Sequence, residues 1–247
     1  MRTNNRNFDA LRPVTIIPDY IDFADGSALI EIGKTRVSAT ATIEEKVPIF
    51  LRGSNKGWIT AEYSMLPRAT EKRTVRERIR GQLSGRTQEI QRLIGRALRA
   101  STDLSILGER TIIIDCDVLQ ADGGTRTASV TAGCVALALA LKKMMDVNIL
   151  NEMPLRNLVS AVSGGIVADK MLLDLDYRED SNADVDMNVV ETDSGQIVEI
   201  QATAEKNQFS KKQFDELLKL ADKGIKELIH VQKAVLKKKS LLFMAYG

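Results

Sequence analysis

From residue 11 onward apolar and polar positions alternate, and LRPVTIIPDYIDFADGSALIEIGKTRVSATATIEE predicts a run of strands broken at Asp25-Gly26 and Gly33-Lys34, both hairpin chemistry. A stretch punctuated by Gly, Asn and Pro follows over 50–67, with one short strand around Trp58–Tyr63. The period then becomes helical from about Thr74 to Ala100. Thr111–Leu119 predicts a strand and residues 121–127 a glycine turn. Ala128–Met145 predicts a helix so evenly small and apolar that it belongs between two layers. Strands are expected next at about Leu158–Val167, Met171–Leu175, Asp184–Glu191 and Gln196–Thr203, with a hairpin turn at Asp193-Ser194-Gly195. A long helix starts near Ser210, where Ser210 and Gln213 fit a capping box, and Phe214, Leu217, Leu218, Ala221, Ile225 and Leu228 share one face. No linker composition separates the halves. The pattern therefore gives one α+β domain over 1–247: two related β-rich halves with packed helices, a polar arm at about 1–12 and a tail at about 237–247.

Composition narrows the chemistry. Thirty-five Lys and Arg against 33 Asp and Glu leave a formal charge of +2, which selects no partner. The distribution does more: between Arg68 and Arg99 ten basic residues face three Glu, so one surface seeks anions, either a nucleic-acid backbone or acidic residues of another subunit. One histidine, His230, excludes a His-rich metal site, and helical arithmetic puts it on a polar face. Cys116 and Cys134 form no C-x-x-C and read as reduced, buried thiols. No uninterrupted apolar run approaches the roughly 18 residues of a membrane span, and the start MRTNNRNFD is no signal peptide. The expectation is a cytoplasmic protein without a membrane partner.

Three constellations carry candidate chemistry. With about 100° per residue from Ile79, Leu83, Ile90, Leu93, Ile94 and Ala97 form one apolar stripe, and Arg86 falls inside it. A buried guanidinium requires an anion, either an internal glutamate or a bound ligand. Gly123-Gly124-Thr125-Arg126-Thr127 lies between a strand and a helix, where backbone N–H groups, a hydroxyl and a guanidinium can cradle an oxyanion. Over 179–188, alternation puts Asp184, Asp186 and Asn188 on one strand face. Such carboxylates repel unless a cation or proton relieves them, and the alternative is a solvated acidic loop entering a strand. Gly33-Lys34-Thr35 resembles the end of a P-loop, but Ala28 stands where its first glycine belongs, and it reads as a hairpin turn.

The strings Leu11-Arg12-Pro13-Val14, Gly57-Trp58-Ile59-Thr60-Ala61-Glu62-Tyr63-Ser64-Met65-Leu66-Pro67-Arg68, the run 85–96, the run 115–126, Glu179-Asp180-Ser181 and the run 186–190 resemble, in order, those of the bacterial ribonuclease PH enzymes over about residues 1–236. The resemblance implies a fold like domain 2 of ribosomal protein S5, assembly as a homo-hexamer (a trimer of dimers), and phosphate-dependent 3′→5′ trimming of precursor tRNA and other RNA 3′ ends. Inorganic phosphate is the co-substrate, nucleoside diphosphates leave, and the reaction is reversible as a nucleotidyltransferase. It further implies that Arg86, Gly124, Thr125 and Arg126 hold phosphate, and that Asp180 and Asp186 serve Mg2+ (Mn2+ as alternative) and proton donation, with a lean to Asp180 as the acid. Arg68, Arg73 and Arg76 would serve assembly or RNA contact. The competing readings are a non-catalytic RNA-binding ring subunit and a hydrolytic nuclease. The chain departs from the family pattern at Asn4-Asn5, where Asp-Gly is usual, at a glycine near Asn55, and at Ala202, where glycine is usual.

Overall fold

The two-residue loop Gly33-Lys34 joins β2 (Gly26–Ile32) to β3 (Thr35–Glu44), and β1 (Val14–Pro18) pairs on the other side of β2, all antiparallel. The computed structural model describes residue 2 and residues 5–241, leaving aside the side chains of Arg78 and Arg80. The departure at Asn4 and the tail beyond 241 lie outside the described residues. After β4 (Trp58–Met65) the chain passes through three helices, α1 (Glu77–Arg80), α2 (Gly85–Ala100) and α3 (Leu104–Leu107). It returns as β5 (Thr111–Gln120), which inserts antiparallel to β3 and parallel to β4, giving the sheet order β1-β2-β3-β5-β4.

Next comes α4 (Thr125–Asp146) and then the second sheet. Its strands are β6 (Val159–Val167), β7 (Lys170–Leu173), β8 (Val185–Thr192) and β9 (Ile197–Ala204), in the antiparallel order β7-β6-β8-β9. A short helix, α5 (Tyr177–Asn182), precedes β8, and α6 (Lys211–Lys237) closes the fold with the expected Ser210–Gln213 capping box. The α+β architecture with two β-rich halves and packed helices is the one the sequence predicts.

Helix α4 lies between the sheets, against β2 and β3 on one side and β6 on the other, flanked by α2 and α6. By length and composition it could cross a membrane, a property hidden from a search for unbroken apolar runs by Ser129, Thr131 and Gly133; most of it is buried in the protein. One apolar cluster runs through both sheets and this helix. Cys116 and Cys134 are free and buried in it, and burial pushes the Cys134 thiol up to about 12.

The helix expected over Thr74–Ala100 is broken. Gly81 turns with φ +79°, and Ser84 caps α2 by accepting a hydrogen bond from the Thr87 N–H at 3.2 Å. Ile79 and Leu83 therefore leave the stripe and are exposed, while Ile90, Leu93, Ile94 and Ala97 are buried as expected. Arg86, in the first turn of α2, is exposed and not embedded in an apolar face. His230 is exposed on α6.

Candidate active site

A cavity of about 870 Å3 lies where α2, α4, α5 and the β8–β9 edge meet, and Arg86, Gly124, Thr125, Arg126, Asp180 and Asp186 all line it. Both halves of the chain contribute, the first through α2 and the start of α4 and the second through α5 and its sheet, so tertiary packing brings together groups up to 100 residues apart in sequence. Arg68, Arg73 and Arg76 do not line it. They stand in the exposed segment between β4 and α1, with Arg68 donating to the Glu71 carbonyl at 3.0 Å.

The cationic wall has two different arginines. Among the described residues Arg86 makes no hydrogen bond or ion pair, so its exposed fork is available to an incoming anion. Arg126 is half-buried and engaged: it donates to Glu89 at 3.2 Å and to Gln201 Oε1 at 2.8 Å, while Gln201 Nε2 donates to Glu89 at 2.7 Å. The turn before α4 has Gly123 at φ +76° and Gly124 at φ +67°. A Cβ on Gly123 would lie 2.4 Å from the Leu175 carbonyl oxygen, so only glycine lets this turn approach the chain leading into α5. Thr125 opens α4, and its hydroxyl shares a 2.9 Å hydrogen bond with the buried Tyr63 hydroxyl. Backbone N–H groups of a helix start, one hydroxyl and two guanidiniums thus face the same space, an anion-binding arrangement.

The acidic wall faces it. Asp180 sits on α5, held by a capping box between Asp176 and Glu179, and Asp186 sits near the start of β8. Burial raises the pKa of Asp180, against the pull of Arg86 and Arg126. Asp186 is pushed up to about 6, by burial first and then by the charge of Asp180, although Arg126 and a 3.1 Å hydrogen bond from Asn188 oppose the shift. Asp184 is not in this cavity; its side chain accepts a hydrogen bond from Asn207 at 2.9 Å.

Several residues escaped sequence reasoning. Glu89, Tyr63, Ser163, Gln201 and Glu205 all touch the site or its charges. Gln201 and Thr203 stand opposite Asn188 and Asp186 across the β8–β9 ladder, so strand register was the signal for them, but a shift between Val190 and Glu191 breaks the count from the turn. The basic run is also partly used internally: Arg96 pairs with Glu199 through two hydrogen bonds, and Arg99 covers the Trp58 ring at 4.3 Å.

A two-half α+β protein with phosphate-binding elements on one wall and paired carboxylates on the other defines a class. The chain matches the 3′ exoribonuclease family, domain 1 over residues 10–143 and domain 2 over 157–224, and it belongs to that family. It is 58% identical over 236 residues to Ribonuclease PH of Moorella thermoacetica (96% of this chain, 94% of that protein) and 57% identical to Ribonuclease PH of Syntrophomonas wolfei (95% and 98%). Among solved structures it is similar to a chain described as "archaeoglobus fulgidus exosome with RNA bound to the active site", with TM-score 0.78 and 26% identity over 93% of this chain and 91% of that one.

Proposed function

We infer that this protein is a ribonuclease PH: a phosphorolytic 3′→5′ exoribonuclease that trims the 3′ end of precursor tRNA and, run backwards, a nucleotidyltransferase. The observation that carries the reading is one cavity holding Arg86 and the Gly124-Thr125-Arg126 turn opposite Asp180 and Asp186, in a chain 56–58% identical to curated ribonucleases PH over nearly its whole length.

Inorganic phosphate takes the cationic wall, bound by Arg86, the N–H groups at the Gly124 turn, the Thr125 hydroxyl and Arg126, which exchanges part of its contact with Glu89 for the ligand. An oxygen of that phosphate attacks the terminal phosphorus of the RNA, the bond from phosphorus to the 3′ oxygen breaks, and a nucleoside diphosphate leaves. Both reactants are anions, so the arginines act by cancelling repulsion and fixing alignment. The 3′ oxygen needs a proton, which the aspartate pair supplies. Burial raises both carboxyls, and Asp180 is assigned to carry that proton, with Asp186 as its neighbour.

The carboxylates also fit a divalent ion. Asp180, Asp186 and the Asn188 amide oxygen are hard donors, and the mutual repulsion that raises Asp186 is what a cation relieves. Asp180 and Asp186 would hold Mg2+, with Mn2+ as the alternative, and the ion would neutralise charge on the scissile phosphate.

Exposed Arg68, Arg73 and Arg76 are assigned to RNA contact or to assembly of a homo-hexamer, whose solution mass would be six chains. The chain is taken as one cooperative unit, since its apolar core is continuous across both halves. A cytoplasmic location accords with its free cysteines. A purely structural ring subunit is not favoured, because every residue implied for the chemistry is present and convergent.

Incubation with RNA, with and without phosphate, tests the activity. Nucleoside diphosphates formed only with phosphate are expected. Monophosphates formed without it would make the enzyme a hydrolase, and no product from folded protein would make it a structural subunit.

A further inference from the structure

The string Leu11-Arg12-Pro13-Val14 has no part in the chemistry above, yet the arm that contains it is docked into the protein. Arg12 is buried, and it reaches both walls of the site at once. Toward α5, its backbone N–H donates to Asp174 Oδ2 at 2.7 Å, and its Nε and Nη2 donate to the two carboxylate oxygens at 2.9 and 2.6 Å. Toward the phosphate turn, its Nη1 donates to the Asp122 carbonyl and its Nη2 reaches the Gly123 carbonyl at 3.4 Å. A third group holds the same turn: the Thr35 hydroxyl donates to the Gly123 carbonyl at 2.7 Å and accepts from the Asp122 N–H at 3.0 Å.

Asp174 is built to anchor this contact. It stands at φ +54°, in the left-handed region that aspartate tolerates better than most side chains. Its N–H donates to the Ser163 carbonyl at 2.6 Å, and Arg6 adds a further ion pair at 2.9 Å. Burial alone would raise its pKa, but the hydrogen bonds and charge of Arg12 outweigh that and hold the carboxyl below its ordinary range. Next along the chain, Arg2 grips Glu179 through two 2.8 Å hydrogen bonds, one residue before Asp180.

We propose that Arg12, anchored on Asp174, is a positioning residue for phosphorolysis. Its planar guanidinium ties the Gly123-Gly124 turn to the chain entering α5, so the bound phosphate and the aspartate pair keep one spacing. The inference rests on the phosphate site assigned above. A lysine keeps the charge but cannot donate to Asp174 and to two carbonyls in a fixed plane. Arg12→Lys leaves the cavity-lining residues untouched and alters only how two walls are held.

The test uses the assembled enzyme. The phosphate KM in turnover, the KM for RNA, and the rise in Tm that phosphate causes without RNA are compared for wild type, Arg12→Lys and Thr35→Val. For Arg12→Lys the phosphate KM should rise by about tenfold or more, the scale of loss that an ångström of misplacement produces, while the KM for RNA is unchanged. Thr35→Val removes one of the turn's supports with little change in volume and should shift the phosphate KM in the same direction by less. A folded Arg12→Lys whose phosphate KM and phosphate-induced Tm rise equal the wild type's overturns the proposal. If Arg12→Lys does not assemble, an unchanged phosphate KM in Thr35→Val overturns it instead. A wild type that neither gains stability from phosphate nor releases diphosphates removes the underlying site assignment, a result distinct from either.

Discussion

Replacing Asp186 by Asn should make the resting protein more stable at neutral pH. The native carboxyl titrates at about 6 against an ordinary 3.8, because it is buried and faces Asp180. Each tenfold change in acidity is about 1.4 kcal/mol, so ionising Asp186 in the native state costs on the order of 3 kcal/mol. The sign follows from proton counting. Between about pH 4 and pH 6 the folded state binds more protons than the unfolded chain, so stability falls as pH rises and the cost is complete above that window. Asn has the same shape, carries no charge, and can still accept the hydrogen bond that Asn188 donates. Denaturant unfolding at fixed protein concentration, in chelator and without phosphate, should show Asp186→Asn ahead by on the order of 3 kcal/mol at pH 7.5 and by about half of that at pH 5. Turnover should be lost in the same variant. A variant no more stable than wild type at pH 7.5, or a gain that does not change between pH 5 and 7.5, would refute the placement of Asp186 in a strained acidic pair.

Arg86→Ala should raise the phosphate KM sharply, and because the exposed side chain has no described partner, stability should stay within about 0.5 kcal/mol of wild type; an unaltered phosphate KM would remove Arg86 from the site. Gly123→Ala combines a left-handed backbone, worth about 1–2 kcal/mol against a side chain, with a Cβ placed 2.4 Å from the Leu175 carbonyl, so it should lower Tm and weaken phosphate binding together. A Tm loss with normal phosphate binding would mean the turn does not hold the ligand.

Most strands, the sandwiched helix α4 and the capped helix α6 were legible because each has a period or a cap that local sequence sets. The exception around Arg86 is instructive. The apolar periodicity runs straight through Gly81, yet a residue with φ +79° followed by a Ser84 cap starts a new helix with a new phase. The burial argument for Arg86 therefore fails, since the side chain stands exposed at a helix start, and only the family resemblance points to it. The family departures also gain a physical reading. Asn5 and Asn55 have φ +54° and +56°, a left-handed region that glycine enters freely and that asparagine tolerates better than most other side chains. What stayed hidden was long-range: Glu89 with Gln201, Tyr63 with Thr125, and the arm's arginines on Asp174 and Glu179 are partners that no local pattern pairs.

Those long-range partners explain how a site with opposed charges survives without its ligands. The cationic wall comes from the first half of the chain and the acidic wall from the second, and each wall alone repels itself. Glu89 and Gln201 occupy Arg126 while no phosphate is bound, and Asp186 can take a proton while no cation is bound. Arg2, Arg6 and Arg12 meanwhile balance Asp174 and Glu179 behind the acidic wall, outside the cavity lined by Asp180 and Asp186. A buried ion pair of this kind contributes little net stability, since desolvation offsets most of the attraction. Its value is directional: bidentate contacts fix where α5 and the glycine turn stand relative to each other, and that spacing is what a two-anion reaction requires.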